Sequence, residues 1–153
     1  MSLEDVRDKQ SIAYWDPIGV DEIKPRGMTP LYDAAANVMH RALDANAKRT
    51  VIVVMTDGDE NSSREYTQQK IKDLTERCTA KEWEVLFLGA NFDVKTYTSN
   101  AGLTKTKMRN FDPTNQFDNA RMFNDLRAAT TAYAVAGQAI DLSIDVDVNV
   151  KKK

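Results

Sequence analysis

Residues 51–67 read VIVVMTDGDENSSREYT, and the interpretation of this stretch decides the fold. Five apolar residues, Val51 to Met55, run directly into Asp57, Gly58, Asp59 and Glu60. Ending a water-averse strand in three carboxylates is costly, because each anion repels the others. A bound metal ion, a helix N-terminus or plain exposure to solvent would each offset that cost. The apolar run over 50–56 is continuous rather than alternating, which suits a strand buried on both faces of a parallel sheet.

Upstream, TPLYDAAANVMHRALDAN (29–46) begins as a helix should. Thr29 is a good N-cap, and Pro30 sits at the first helical position, where its missing N–H is harmless. Leu31, Ala35, Val38 and Ala42 then fall on one face at helical spacing. Further upstream, SIAYW (11–15) has the composition of a short strand closed by Asp16-Pro17, and Pro25 and Gly27 mark 17–28 as a loop.

Downstream, Ser62 and Glu65 have capping-box spacing before a helix to about Lys81, with Thr67, Ile71, Leu74 and Cys78 on one side. WEVLFLGA (83–90) predicts a second buried strand stopped at Gly89. A short helix over 93–101 and a strand over 104–110 follow, and Asp112-Pro113 breaks the chain. From Asn115 to about Ala136 a helix is expected, with Phe117, Arg121, Met122, Leu126, Ala129 and Tyr133 near one stripe. AIDLSIDVDVNV (139–150) alternates strictly, with Ile140, Leu142, Ile144, Val146, Val148 and Val150 on one face. Such alternation suits one buried and one wet face, hence a strand at an outer edge or one pairing with a second subunit.

Helices and strands in alternation predict an α/β fold with a doubly wound, mostly parallel sheet, and 153 residues suffice for one such domain over 1–153. Ligands of these sheets sit beyond the carboxyl ends of the strands, where Asp57 and Gly89 fall. The net charge of −2, with no basic run before Lys151-Lys152-Lys153, argues against a nucleic-acid-binding face. No apolar run is long enough to span a membrane. The single cysteine, Cys78, excludes an intrachain disulfide and points toward a reducing, cytoplasmic compartment.

PRGMTPLYDAA (25–35), followed about twenty residues later by VIVVMTDGDENSS (51–63), resembles the von Willebrand factor A domain. SIAYWDPIGVDEI (11–23) is also similar to the strand and loop that precede the first of these motifs. The likeness covers roughly residues 10–100 and is to stand-alone intracellular A-domain proteins of bacteria and phages. It implies a Rossmann-like three-layer fold with a metal-ion-dependent adhesion site, in which Thr29 and Asp57 are ligands of a divalent cation. The family's first strand, which ends in Asp-x-Ser-x-Ser and supplies the central ligands, has no counterpart before Thr29, nor do its first helix and second strand. The expected domain is therefore an N-terminally truncated A-domain.

The candidate metal ligands are Thr29, Asp57 and Asp59, although Asp59, like Glu60, reads more simply as a solvated turn residue. One hydroxyl and one or two carboxylates hold Mg²⁺, Mn²⁺ or Ca²⁺ weakly at best, so in this chain alone the cation is expected to be weakly bound or absent. An EF-hand loop starting at Asp57 fails, because Ser62 and Gln68 stand where glycine and glutamate are required. His40 and Cys78 read as structural residues. The expected function is a non-enzymatic module that binds a protein partner, with the partner's acidic side chain completing the cation's coordination, as the resemblance implies. The alternatives are a Mg²⁺-dependent hydrolase using Asp57 and Asp59, or a structural or assembly protein whose metal site is vestigial. Without the family's first strand, strand 50–56 would lie at a sheet edge open to pairing, so a homodimer is expected.

Overall fold

The apolar run after Thr50 becomes β1 (Val51–Thr56), and WEVLFLGA yields β2 (Glu84–Ala90), paired parallel with Val51 opposite Glu84 and Thr56 opposite Gly89. In this computed structural model residues 11–23, 27–57, 62–90, 104 and 107–142 are described. β3 (Met108–Phe111) lies parallel on the far side of β2, with Phe87 opposite Met108, so the strand order is β1-β2-β3. The described strand falls at the end of the 104–110 segment expected from sequence. The short helix expected over 93–101 lies outside the described residues.

Alternation along each strand sends side chains to opposite faces, and different helices cover the two. On one face α1 (Leu31–Asp44) and α2 (Gln68–Thr79) bury Leu31, Ala35, Ala36, Met39, Ile71, Leu74 and Cys78 against Ile52, Val85, Phe87 and Met108. On the other, α3 (Gln116–Ala136) and the segment after it bury Met122, Tyr133, Ile140 and Leu142 against Leu86 and Leu88. β2 is thus buried along its whole length, as its continuous apolar run requires. Each fully buried Phe, Leu or Ile contributes about 2 kcal/mol of transfer free energy.

β1 departs from the expectation of burial on both faces. Ile52 and Val54 pack into the first core, but Val53 is 40% and Met55 46% exposed. Register sets these two beside Leu86 and Leu88, on the face where the second cluster covers β2 and reaches Val51 of β1 but leaves Val53 and Met55 exposed. Among the described residues β1 pairs only with β2 and is an edge strand.

Three further departures have local causes. SIAYW forms no described strand; Tyr14 N–H closes a 3-10 turn on the Ser11 carbonyl, and the Tyr14 side chain is 77% exposed. The buried stripe of α1 is Leu31, Ala35, Ala36 and Met39, leaving Val38 outward, because the sheet is met by a stripe rotated from the sequence estimate. Phe117 in the first turn of α3 is 89% exposed and has no place in the second cluster. The rest of the α3 stripe is as expected, with Met122 and Tyr133 buried and Leu126 and Ala129 packed against them.

Polar contacts fix the second layer. Asn115 caps α3 through its Oδ1, which accepts from the Phe117 and Asp118 amides. In the turn before it, the Thr114 hydroxyl and then the Thr114 amide donate to Asp112 and hold its carboxyl below the usual carboxylate range. Gly137, at φ 68°, ends α3 in the left-handed conformation, and Arg49 Nη1 donates to the Ala134 carbonyl at 2.6 Å. A cation there also suits the negative end of the helix dipole. Arg109 of β3 pairs with Asp125 of α3 at 2.6 Å. Lys107 forms an ion pair with the buried Glu84 and donates to the Ile140 carbonyl at 2.6 Å, so the segment carrying Ile140 and Leu142 is tied to the sheet. The remainder of the alternating tail, 143–150, lies outside the described residues. No helix among the described residues is long and apolar enough to cross a membrane.

Two outcomes follow. Asn115→Ala is expected to lower the free energy of unfolding by about 1 kcal/mol in chemical denaturation. Burial raises the Cys78 thiol above its ordinary value, with Arg77 and Lys81 opposing the shift. The native protein should therefore react with a thiol reagent such as DTNB only on unfolding. A folded-state value above the unfolded one means that this contribution to stability is full below the unfolded thiol value and declines as pH rises through the folded one.

Candidate functional site

In an α/β chain the helix before a strand and the helix after it both begin at that strand's carboxyl end. Here α1 precedes β1 and α2 follows it, so two helix N-termini accompany Asp57, the residue directly after β1. The connection between β1 and α2 joins them. Ser63 Oγ accepts from the amides of Tyr32 and Asp33, each at 3.1 Å, satisfying two of the donors that the first turn of α1 leaves open. Asp33 answers in the other direction. Its carboxylate accepts from the amides of Arg64 at 2.8 Å, Glu65 at 3.1 Å and Tyr66 at 2.9 Å.

This exchange corrects both capping assignments made from sequence. α1 begins at Leu31 with Pro30 as its N-cap residue, which has no side chain to cap with. Thr29 therefore lies one residue further out than a cap, half-buried at the mouth of the helix. Nor does Ser62 form a capping box with Glu65: α2 starts at Gln68, and the Thr67 side chain accepts from the Lys70 amide at 3.4 Å. The serine that matters is Ser63, and the helix it caps is the preceding one. A polar side chain reaching a helix thirty residues away leaves no local spacing in the sequence. Asp33, in the first turn of α1, likewise has no local spacing that marks it as the acceptor for amides 64–66.

Of the three candidate ligands, Asp57 is exposed at the end of β1 and Thr29 is two residues ahead of α1. Asp59 lies outside the described residues. Both described candidates are hard oxygen donors of the kind Mg²⁺ accepts. Among the described residues no group of three or more His, Cys, Asp or Glu side chains is assembled for a metal ion. A cation held by this donor pair would keep most of its water. Asp33, another acid at this end, spends its carboxylate on the three amides.

Beside this end a groove of about 560 Å³ runs along α1, lined by Pro30, Asp33, Asn37, His40, Arg41, Asp44, Glu65 and Tyr66. His40 lies half-buried there, its ring tilted against Tyr66 with 5.8 Å between centroids. The other face of the chemistry is closed: Cys78 sits in the first core, as its place in the α2 stripe predicts.

No family model matches the chain, and neither a curated protein nor a solved structure matches it.

Removing the clamp gives the test of its importance. Asp33→Ala is expected to cost about 2 kcal/mol, since hydrogen bonds to a charged acceptor are lost and its amide partners are left to solvent. Ser63→Ala should cost about 1 kcal/mol, as loss of a helix cap does. Hydrogen exchange of the amides of residues 64–66 should accelerate in the first variant more than in the second.

Proposed function

We propose that the chain is a non-enzymatic, cytoplasmic protein-binding module of the A-domain type, N-terminally truncated, with a partial metal-ion-dependent adhesion site. One observation carries the reading: the Ser63–Asp33 exchange fixes the start of α1 at the carboxyl end of β1, the end at which Thr29 and Asp57 both lie. Helices on both faces of a parallel sheet, with β1 at an edge of the described strands, agree with a doubly wound fold lacking the strand that normally flanks β1.

In this reading Thr29 and Asp57, with Asp59, contact a weakly held, largely hydrated Mg²⁺. When bound, that ion supplies a Lewis-acidic centre that accepts a carboxylate from a protein partner. The chain's own residues orient the exchange: the clamp holds the α1 mouth rigid, and its dipole favours an incoming anion. The β1 edge, unpaired among the described residues and with Val53 and Met55 exposed beside it, supports self-association into a homodimer and also favours the assembly-protein alternative.

Calorimetry is expected to give weak Mg²⁺ or Mn²⁺ binding to the wild type and none to Asp57→Ala; equal affinities would remove the site. Phosphate esters and phosphoanhydrides should not be turned over in the presence of Mg²⁺. Activity lost in Asp57→Asn would replace this reading with the hydrolase alternative. Light scattering after size exclusion should give a dimer mass, and a constant monomer mass over a wide concentration range would sink the homodimer.

A further inference from the structure

A second concavity lies at the opposite, amino end of the sheet. It has a volume of about 350 Å³, and its walls include Trp83, Glu84, Val85, Lys107, Tyr133 and Ala139. Glu84 is only 6% exposed, and burying a carboxylate is costly without compensation. Lys107 supplies that compensation through Oε2, the only donor among the described residues to reach this carboxylate. The ammonium gives a second hydrogen to the Ile140 carbonyl, which among the described residues leaves a third. Tyr133 donates its hydroxyl hydrogen to the Glu82 carbonyl at 2.8 Å, so the phenol is fixed as a wall.

A buried pair serving only to hold the sheet together would be expected to spend its remaining capacity on backbone groups. Here, among the described residues, an acceptor oxygen of Glu84 and a donor hydrogen of Lys107 remain, next to a space more than ten times the share of one water molecule, about 30 Å³. The ion pair is neutral overall and the Glu82 carboxylate also lines the space, so an anionic guest would be repelled. A guest with one donor and one acceptor on the same edge would satisfy both groups without adding charge. The Tyr133 and Ala139 walls favour an apolar ring behind that edge, while Trp83 and Val85 bury their side chains in the first core.

We propose that this cavity is a binding site for a small, uncharged, planar molecule of the lactam or cyclic amide class, held by Glu84 and Lys107. The site is independent of Thr29 and Asp57, and it stands or falls separately from the metal reading.

The test uses the full chain and ¹H–¹⁵N spectra titrated with three probes. 2-Pyridone carries its N–H and C=O on one edge, N-methyl-2-pyridone keeps the ring but lacks the donor, and benzoate is charged. The Glu84, Val85 and Ala139 amides are expected to shift with 2-pyridone. The N-methyl compound should bind at least about tenfold more weakly, because a site built around a hydrogen bond rejects the analogue lacking it. Benzoate should leave these resonances unmoved. Glu84→Gln should weaken 2-pyridone by about tenfold or more, while Asp57→Ala should leave it unchanged. Absence of shifts at the lining residues, equal binding of the N-methyl analogue, or preference for benzoate would each overturn the proposal. These probe comparisons use the wild type, so they decide the matter even if Glu84→Gln fails to fold.

Discussion

The carboxylate of Asp33 and the hydroxyl of Ser63 form the contact on which the carboxyl end of this molecule depends. Each serves backbone donors that belong to the other's segment: Ser63 those of the first turn of α1, and Asp33 those leading into α2. A helix start and a long connection are the two parts of an α/β unit with the most unsatisfied amides, and here they resolve one another. Because the acceptors come from opposite partners, neither segment can move without stripping the other. That mutual dependence turns a strand-end loop into a defined platform under Asp57.

The two layers of the sheet are held by different physics. The α1–α2 layer is largely apolar, with Met39, Ile71, Leu74 and Phe87 meeting in one cluster. The α3 layer has a smaller apolar cluster and relies on charge at its margins: Arg109 with Asp125, Arg49 at the end of α3, and Lys107 between Glu84 and Ile140. Replacing one member of the Glu84–Lys107 pair leaves a buried charge uncompensated, which costs more than the intact pair contributes. The second layer is therefore more sensitive to polar substitution than the first.

The sequence made the parallel strands β1 and β2 and the helices α1, α2 and α3 readable, because continuous apolar runs and helical stripes survive whatever the tertiary contacts are. What it hid was non-local. Val53 and Met55 belong to the same uninterrupted apolar run as Ile52 and Val54, and only the reach of α3 decides which pair is covered. SIAYW has strand composition but finds no partner among the described strands, and composition alone does not supply one. The place of Asp57 directly after β1 was legible from the apolar run before it. Ser63 and Asp33 were not, since their partners lie about thirty residues away and the nearer serine, Ser62, fitted a local rule.

The division of the core also imposes an order on synthesis. Apart from Met108, the buried members of the first cluster are all present once Phe87 has been made, and α1, β1, α2 and β2 suffice to assemble most of it. The opposite side of β2 cannot be completed until Ile140 and Leu142 emerge, since both lie over Leu86 and Leu88. A nascent chain on the ribosome therefore carries a half-finished sheet, apolar on its uncovered side, until the segment with Ile140 and Leu142 leaves the exit tunnel. Those leucines are the surface that a ribosome-associated chaperone would meet, and a premature stop before Ile140 would leave them without their final cover.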